Sequence, residues 1–314
     1  MIDLFAGAGG LSLGLAAAGF TPVRAVEVMP DAAATYEGLH GVPVDRRRLE
    51  DIPASELRSW RGATVVAGGP PCQPWSSGGL RRGAQDARDG FPAMLRALEL
   101  IRPEAFVIEN VAGLARAPYF SRLLEALAAW QVSFAVLDAA DYGVPQHRRR
   151  MFLVGTRAGA FAFPQRNPEW VPAGAVIGHD AVGEPNPSIV TYAKRPDLRP
   201  SPYDGLLFNG GGRPLDLTVP ARTVLASAGG NKTPFVDTLG VVPPYHASLL
   251  RGGPPRSGLV EGARRLTVAE CAALQSFGPQ VRFAGRRTVQ YTLVGNAVPP
   301  LLAEAVGGAL RAAL

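Results

Sequence analysis

The chain has 314 residues, 47% hydrophobic and 18% charged, a balance that indicates a folded globular protein and excludes an intrinsically disordered one. No apolar run reaches the roughly 20 residues of a membrane helix, and no basic-then-apolar segment opens the chain as a secretory signal. Two cysteines, Cys72 and Cys271, are too few for a disulfide framework or zinc cluster, and the histidines show no metal-ligand spacing. We therefore expect a cytoplasmic protein that binds no metal and no membrane.

The formal net charge of +6 is unevenly distributed. Residues 1–150 hold 16 basic and 16 acidic side chains, whereas residues 151–314 hold 16 basic and 10 acidic ones, so the second half carries the whole excess. A basic surface on one part of a molecule is typical of proteins that bind nucleic acid. Arginine usage in a GC-rich genome explains the same excess equally well, so charge alone leaves both explanations open.

Apolar and amphipathic runs alternate along the first half of the chain. Strands are predicted at residues 1–5, 22–28, 63–69, 105–111, 132–139 and 150–156. Helices are predicted at residues 11–19, 31–39, 91–101 and 119–130. Repeated strand–helix units predict an α/β fold with a mostly parallel sheet and helices on both faces.

The alternation ends near residue 160. Between residues 160 and 260 lie 15 of the 29 prolines, which predicts an irregular, loop-rich region with short β pieces. Helical patterns return at residues 266–277 and 299–314. We expect a large α/β domain, a basic irregular domain, and a last helix that packs back on the first domain.

A glycine-rich turn, DLFAGAGGLSLG at residues 3–14, joins the first strand to the first helix. Gly7, Gly9 and Gly10 let the backbone turn sharply and approach a ligand closely. Glu27 ends the next strand, where such folds place an acid that holds ribose hydroxyls. No lysine completes a phosphate loop, which argues against ATP. The pattern favours a nucleoside-bearing cofactor, and a tight turn without a ligand is the alternative.

Cys72 lies in GGPPCQPWSSGG, residues 68–79, directly after the third predicted strand. Ligands of open α/β sheets bind beyond the carboxyl ends of the strands, and the flanking prolines restrict the backbone around the thiol. This setting favours a positioned nucleophile over a buried structural cysteine. Cys271, in the helical pattern AECAALQSF, is expected in the core.

Other polar groups are predicted at the same edge of the sheet. Glu109 in VIENV ends a strand, so its carboxyl group is either near the target of Cys72 or solvated. The arginines of QHRRR, residues 146–150, either bind an anion or carbonyl oxygen or form an exposed basic turn. In QYTLVGNAVPP, residues 290–300, a turn at Gly295 and Asn296 either closes a pocket or caps the final helix.

Six segments in this order resemble the motifs of the cytosine-C5-specific DNA methyltransferases, of the bacterial restriction–modification type: DLFAGAGGLSLG, GGPPCQPWSSGG, ENV, QHRRR, RRLTVAECAALQSFG and QYTLVGNAVPP. The resemblance covers residues 1–157 and 264–310, and residues 158–263 lie where the family keeps its variable target-recognition region. It implies a Rossmann-like S-adenosylmethionine-dependent domain at residues 1–175 plus 290–314. A smaller, irregular, β-containing target-recognition domain and hinge would take residues 176–289.

The resemblance implies S-adenosyl-L-methionine as cofactor and S-adenosyl-L-homocysteine as product, without a metal. Phe5 would stack on the adenine, Glu27 would bind the ribose hydroxyls, and Asp51 would take the adenine amino group. The sequence departs from the usual family pattern at Glu50, often glycine, and at Ala297, often serine. The residues implied to contact the cofactor are Phe5, Ala6, Gly7, Gly9, Gly10, Leu11, Glu27, Val28, Asp51, Ile52, Pro71, Asn296 and Val298.

The same resemblance implies the chemistry. Cys72 would add to carbon 6 of a cytosine, Glu109 would contact N3 and the amino group, and Arg148 and Arg150 would lie near the base and the DNA backbone. The activated carbon 5 then takes the methyl group, and Cys72 is eliminated after loss of the carbon-5 proton. The sequence does not identify the base that removes that proton.

Double-stranded DNA is the implied partner, and the target cytosine must swing out of the helix to reach Cys72. Predicted DNA contacts lie in the loop after Cys72 and in the variable region: Gln73, Ser76, Arg81, Arg82, Arg88, Arg222, Thr223, Asn231, Lys232 and Arg251. We expect a monomer near the nucleoid, and a cognate restriction endonuclease that acts on the same site without a stable complex. A tRNA cytosine methyltransferase and a non-catalytic DNA-binding homologue are the alternatives.

Overall fold

The computed structural model describes residues 1–71 and 89–314 of the chain. Within these ranges a seven-stranded sheet has the strand order β3-β2-β1-β4-β5-β7-β6. Its strands are β1 (Ile2–Leu4), β2 (Arg24–Val26), β3 (Val44–Asp45), β4 (Val65–Gly68), β5 (Ala105–Val111), β6 (Gln131–Asp138) and β7 (Arg149–Thr156). Strand β7 runs antiparallel to both of its neighbours, and the other pairings are parallel. The predicted mostly parallel α/β sheet is confirmed.

Nine helices lie in the described ranges: α1 (Gly10–Ala17), α2 (Pro30–His40), α3 (Ala54–Ser59), α4 (Phe91–Ile101), α5 (Tyr119–Ala126), α6 (Val242–Leu250), α7 (Val268–Leu274), α8 (Arg287–Asn296) and α9 (Pro300–Ala313). Side chains alternate along β4, because successive residues of a strand point to opposite faces. Val65 and Ala67 pack with apolar residues of α1 and α9, whereas Val66 packs with those of α3, α4 and α5. Helices therefore cover both faces of the sheet, as the sequence predicts.

The last helix packs against the first, as expected. A β-carbon on Gly14 of α1 would overlap the backbone of Pro300 and Glu304, so only glycine permits the close approach of α1 and α9. By length and composition the stretch Arg287–Ala313 is apolar enough to cross a membrane, but 67% of its apolar window is buried inside the protein. Helices α8 and α9 are thus core helices of this fold.

Residues 160–286 form the irregular region that the prolines predict. Two antiparallel strand pairs occur there, β8 (Tyr192–Asp197) with β9 (Leu206–Phe208) and β10 (Phe235–Asp237) with β11 (Ala263–Arg265). Their small core is built around Phe208, Phe235 and Tyr245, with the last on α6. The domain boundaries at residues 175 and 290 stay a prediction.

One local prediction is wrong. Gly295 and Asn296 form the last residues of α8 rather than an irregular turn. A β-carbon on Gly295 would overlap the backbone of Leu225 and Ala226, so this glycine allows the loop at residues 221–226 to cross the helix end. The glycine therefore serves a close packing contact and not a change of chain direction.

Candidate active site

Two adjoining cavities open at the carboxyl ends of β1, β2, β4 and β5. The larger has a volume of about 470 Å³ and the smaller about 260 Å³. Both cavities are lined by Phe5, Glu27, Val28 and Pro71. The larger also reaches Glu109. The sequence predicted a ligand site at this edge of the sheet, and the structure brings most of the predicted residues to it.

The turn after β1 has an unusual backbone. Phe5, Gly7 and Gly9 have φ angles of 57°, 55° and 86°, all in the left-handed region. A residue with a large side chain, such as Phe5, rarely adopts this backbone conformation, and the residues that do adopt it are concentrated at ligand sites. A β-carbon on Gly10 would overlap the carbonyl oxygen of Val298. The turn is therefore pressed against the segment that follows α8.

Glu27 is fixed by the backbone around it. Its Oε2 accepts a hydrogen bond from the Gly7 amide at 2.8 Å, and its Oε1 accepts one from the Met29 amide at 2.8 Å. A carboxylate has about four acceptor positions, so two remain for further donors in the cavity. The side chain is only 9% exposed and lines both cavities. These acceptor positions fit a pair of ribose hydroxyls.

The smaller cavity is a narrow apolar slot. Its walls include the side chains of Phe5, Val26 and Leu49, and Gly90 lies beside Pro71, to whose carbonyl oxygen its amide donates at 3.0 Å. A β-carbon on Gly90 would touch the Phe5 ring at 3.1 Å and would overlap Pro71, so the glycine keeps the slot open. An apolar slot next to a carboxylate that can accept hydroxyl donors fits a purine nucleoside.

The structure corrects one part of the predicted cofactor set. Asp51 is exposed, Ile52 is fully buried, and neither lines a cavity; Gly9 lines none either, and its carbonyl oxygen contacts His40. Residues 48–50 form this part of the wall instead, so Glu50 rather than Asp51 is the carboxylate that this segment places at the slot. A short 3₁₀ turn at Leu49–Asp51 causes this change. This turn determines which side chain of the segment faces inward, and the sequence contains no pattern that predicts it.

Glu109 lies near the end of β5 and pairs with Arg150 of β7. The Arg150 Nε lies 2.9 Å from Glu109 Oε1. Burial raises the pKa of Glu109, and the positive charges of Arg150 and Arg148 oppose that rise. The net direction is upward, so this carboxyl group takes up a proton more readily than an exposed glutamate. It can therefore supply a proton or a hydrogen bond to a ring nitrogen.

The segment before Cys72 lies directly beside Glu109. The Asn110 amide Nδ2 donates to the carbonyl oxygen of Pro70 at 2.8 Å, which ties the proline segment to β5. A β-carbon on Gly69 would lie 3.4 Å from Glu109 Oε2. Cys72, Gln73, Ser76, Arg81, Arg82 and Arg88 lie outside the described residues, and their assignments stay predictions.

Arg148 does not line the cavity, in contrast to its predicted place beside the base. It is fully buried, and its guanidinium donates to the carbonyl oxygens of Val224 at 3.2 Å and Gly295 at 2.7 Å. Arg148 precedes β7 and turns away towards the loop at residues 221–226. Its charge still lowers the pKa of Glu109. Its contacts make it a joint between chain segments.

Sequence reasoning missed a buried polar cluster under the glycine turn. Asp3 is 1% exposed and lines the larger cavity. Its Oδ2 accepts from the Ser12 hydroxyl, which also lies 2.8 Å from the Tyr36 hydroxyl, while Oδ1 has no partner. Burial raises the pKa of Asp3 to about 7. An acid inside a predicted apolar strand was the signal available in the sequence.

The predicted DNA contacts of the variable region are only partly brought together. Arg222, Thr223 and Lys232 line a separate cleft of about 480 Å³, and Arg222 pairs with Asp204. Asn231 and Arg251 are exposed but do not line that cleft. Cys271 is fully buried in the core, as predicted. Within residues 1–71 and 89–314, no group of three His, Cys, Asp or Glu side chains could hold a metal ion.

The profile of the family described as C-5 cytosine-specific DNA methylase matches residues 1–174 and 226–312. The Type II methyltransferase M.AplI of Arthrospira platensis is 33% identical, over 100% of this chain and 86% of the relative. The Type II methyltransferase M1.HphI of Haemophilus parahaemolyticus is 35% identical, over 98% of this chain and 86% of the relative.

Solved structures of low sequence identity share the fold. A putative DNA modification methyltransferase encoded within an Escherichia coli prophage superposes with a TM-score of 0.71 at 19% identity, covering 99% of this chain and 98% of that one. The Dnmt2 methyltransferase of S. pombe superposes with a TM-score of 0.73 at 14% identity, covering 100% and 97%.

Proposed function

Because the chain belongs to the C-5 cytosine-specific DNA methylase family and is a DNA (cytosine-5-)-methyltransferase of the type II restriction–modification kind, we propose how its own residues perform that reaction. One observation carries the proposal. The Glu109–Arg150 ion pair, the proline segment that leads into Cys72, and the carboxylate of Glu27 all line one cavity of about 470 Å³. A proton donor, a nucleophile and a nucleoside site can act together there.

The nucleoside site fits S-adenosylmethionine, the cofactor of this family. Glu27 would hold the ribose hydroxyls, Phe5 would stack on the adenine, and Asn296 and Val298 would close the opposite wall. Glu50 would lie beside the adenine in place of Asp51. When bound, the cofactor supplies an electrophilic methyl group on a sulfonium and leaves as S-adenosylhomocysteine. No metal takes part in this proposal.

Cys72 would act as the nucleophile. Its thiolate forms a bond to carbon 6 of cytosine, and the electron pair of the carbon 5–carbon 6 double bond moves into the ring. Carbon 5 would then take the methyl group, whose bond to the sulfonium sulfur would break in the same step. A base removes the carbon-5 proton, the double bond reforms, and the bond from carbon 6 to Cys72 breaks. Cys72 directly follows Pro71, which lines the cavity, and this adjacency supports its place.

Glu109 would stabilise the negative charge that develops on the ring after thiolate addition. Burial raises its pKa, so this carboxyl group takes up a proton more readily than an exposed glutamate and can then give that proton to N3. The guanidinium of Arg150 holds that carboxyl group in place through its Nε at 2.9 Å. Arg148 would act through these groups, because it is buried behind the cavity.

The substrate is DNA, and we propose that the cytosine is flipped out of a duplex before it meets Cys72, at a cost of a few kcal/mol. The loop after Cys72 and residues Arg222, Thr223, Asn231, Lys232 and Arg251 would contact the DNA, mostly through phosphates. We propose a cytoplasmic, nucleoid-associated monomer. A cognate endonuclease would act on the same site without forming a stable complex.

Methyl transfer from labelled S-adenosylmethionine to duplex DNA, with tRNA as comparator, tests the substrate. We expect label in DNA, and label in tRNA alone would overturn the proposal. DNA that contains 5-fluorocytosine tests the chemistry, because the fluorine cannot leave as a proton does and the adduct persists. A covalent complex with the wild-type protein but not with Cys72→Ser is expected. No complex with wild type would indicate a non-catalytic DNA-binding protein.

A further inference from the structure

The cleft of about 480 Å³ shares no lining residue with either active-site cavity. One of its walls contains Trp170 and His147, and another contains Arg213 and Lys232. Most of these residues have no role in the proposed methyl transfer. The cleft thus combines an aromatic wall with a cationic wall.

Trp170 is exposed but held in a fixed orientation. Its side chain is 55% exposed, although indoles usually bury their large apolar faces. The indole Nε1 donates to Asp141 Oδ1 at 3.0 Å, and the ring meets that of His147 edge to face with centroids 4.7 Å apart. His147 is itself held by Asp138, whose Oδ2 lies 3.0 Å from Nδ1. A fixed, exposed indole face is a ready platform for stacking a flat ring.

The other wall holds cations that lack acidic partners. Among the described residues, Arg213 makes no salt bridge and its buried Nε has no hydrogen-bond acceptor, and Lys232 is likewise unpaired. The cleft lining has three cations, Arg213, Arg222 and Lys232, and two acids, Asp204 and Asp216, so one positive charge is in excess. Asp204 pairs with Arg222, and Asp216 accepts from the Thr218 amide and hydroxyl. The free positive charge in this wall is therefore available to an anion.

The cleft lies at the ligand-binding edge of the main sheet. Asp138, the last residue of β6, pairs in register with Arg149, the first residue of β7. Arg150 follows directly and reaches the active-site cavity. The Thr223 hydroxyl also donates to the His147 carbonyl oxygen at 2.7 Å, which joins the two sides of the cleft. The cleft and the active-site cavity therefore lie at the same edge of the sheet.

We propose that the cleft binds one unpaired nucleotide of the DNA, with its phosphate between Arg213 and Lys232 and its base stacked on Trp170. The proposal rests on DNA as the substrate and adds a second nucleotide site to it. A duplex presents its phosphates outside but keeps its base faces inside the stack, so it cannot use an indole platform. An unpaired nucleotide offers a base face and a phosphate together.

Tryptophan fluorescence tests the site with deoxynucleoside 5′-monophosphates as probes. The protein is kept saturated with S-adenosylhomocysteine, so that the adenine slot is filled. Subtracting the signal of Trp170→Leu isolates the quenching of Trp170. The matched variants are Arg213→Ala in the cleft and Arg122→Ala on the exposed side of α5, which removes the same charge elsewhere. Thermal unfolding checks that each variant folds, and Lys232→Ala is a second cleft variant at an exposed position.

We expect saturable quenching in wild type and Arg122→Ala, with affinity about tenfold lower in Arg213→Ala because one charge-assisted contact is lost. Equal affinities in Arg213→Ala and Arg122→Ala, or no saturable quenching in wild type, would overturn the proposal. The proposed phosphate site would also be refuted if inorganic phosphate failed to displace the nucleotide. It would be refuted likewise if nucleosides bound as tightly as nucleotides. Methyl transfer from S-adenosylmethionine to duplex DNA, measured with the same wild-type preparation before S-adenosylhomocysteine is added, separates the two proposals, since transfer without nucleotide binding refutes only the cleft.

Discussion

The substitution Glu27→Gln tests the cofactor site most directly. The two carboxylate oxygens accept hydrogen bonds from the Gly7 and Met29 amides at 2.8 Å each. Glutamine has a single oxygen, so one of these amides must face an NH₂ group and lose its acceptor. A buried donor without an acceptor costs about 1–3 kcal/mol, and the loss of charge weakens any bond to a hydroxyl donor.

From these terms we expect the free energy of unfolding to fall by about 1–3 kcal/mol and the Kd of S-adenosylhomocysteine to rise roughly 10- to 100-fold. Isothermal titration with S-adenosylhomocysteine measures the second quantity, and urea unfolding measures the first.

Glu37→Gln is the matched control for this experiment. Glu37 also accepts a backbone amide, that of Val44 at 3.1 Å, and pairs with Arg46, but it lines neither cavity. It should lose some stability and keep its affinity for S-adenosylhomocysteine. An affinity of Glu27→Gln within twofold of wild type, or an equal loss in Glu37→Gln, would refute the assignment of Glu27 to the cofactor.

Three further predictions follow from cysteine chemistry, a buried acid and helix packing. Cys72→Ser should abolish methyl transfer with S-adenosylhomocysteine binding retained, whereas Cys271→Ala should keep activity, because Cys271 is fully buried in the core; active Cys72→Ser protein would contradict the mechanism. Burial raises the pKa of Asp3 to about 7, so the folded protein binds the proton of this carboxyl group more tightly than the unfolded chain does. Proton binding by Asp3 therefore stabilises the fold fully below about pH 4, and this stabilisation is lost as the pH rises through 7. In urea unfolding, the free energy of unfolding of wild type should fall with rising pH by up to ~4 kcal/mol more than that of Asp3→Asn. Parallel pH profiles of the two proteins would contradict the raised pKa of Asp3. Gly14→Ala should destabilise the protein by about 1–3 kcal/mol, because the added β-carbon would meet the backbone of α9. Gly308→Ala has open space around the added β-carbon and should stabilise the protein by about 0.5–1 kcal/mol. Equal shifts of the melting temperature in calorimetry would refute this packing argument.

Most regular elements of residues 1–156 could be predicted from the sequence because their apolar patterns are strong and local, although the two-residue β3 was not. The strand predicted at residues 105–111 is β5 with the same bounds, and the helix predicted at 91–101 is α4. Three helices, α3, α6 and α8, were missed for local reasons. α3 is only six residues long, too short for a helical pattern to stand out. The two prolines of α6 occupy its first turn, where proline is tolerated, and α8 is rich in β-branched and polar residues that carry little helical signal.

The candidate site was predictable in its composition but not in its fine geometry. Arg148 and Arg150 are two residues apart, and a continuous strand would have pointed both to one face. β7 begins only at Arg149, and the partners of Arg148 are the carbonyl groups of Val224 and Gly295, far away in the sequence. Which side chain of residues 48–51 faces the apolar slot depends on one 3₁₀ turn. Contacts between distant segments decide such details, and no local pattern contains them.

The buried joint around Arg148 has a consequence for exchanging target specificity between relatives. Gln146 accepts the Val224 amide at 2.6 Å and donates to the Leu274 carbonyl oxygen at 3.1 Å, and Arg148 ties the same loop to Gly295. Residues 221–226 thus behave as part of the catalytic scaffold although they lie inside the variable stretch. A chimaera that takes this loop from a relative but keeps Gln146 and Arg148 of this chain would bury the Arg148 guanidinium without a fitted acceptor. Grafts that begin after residue 226 should provide a new DNA-binding site and keep the buried contacts of Gln146 and Arg148.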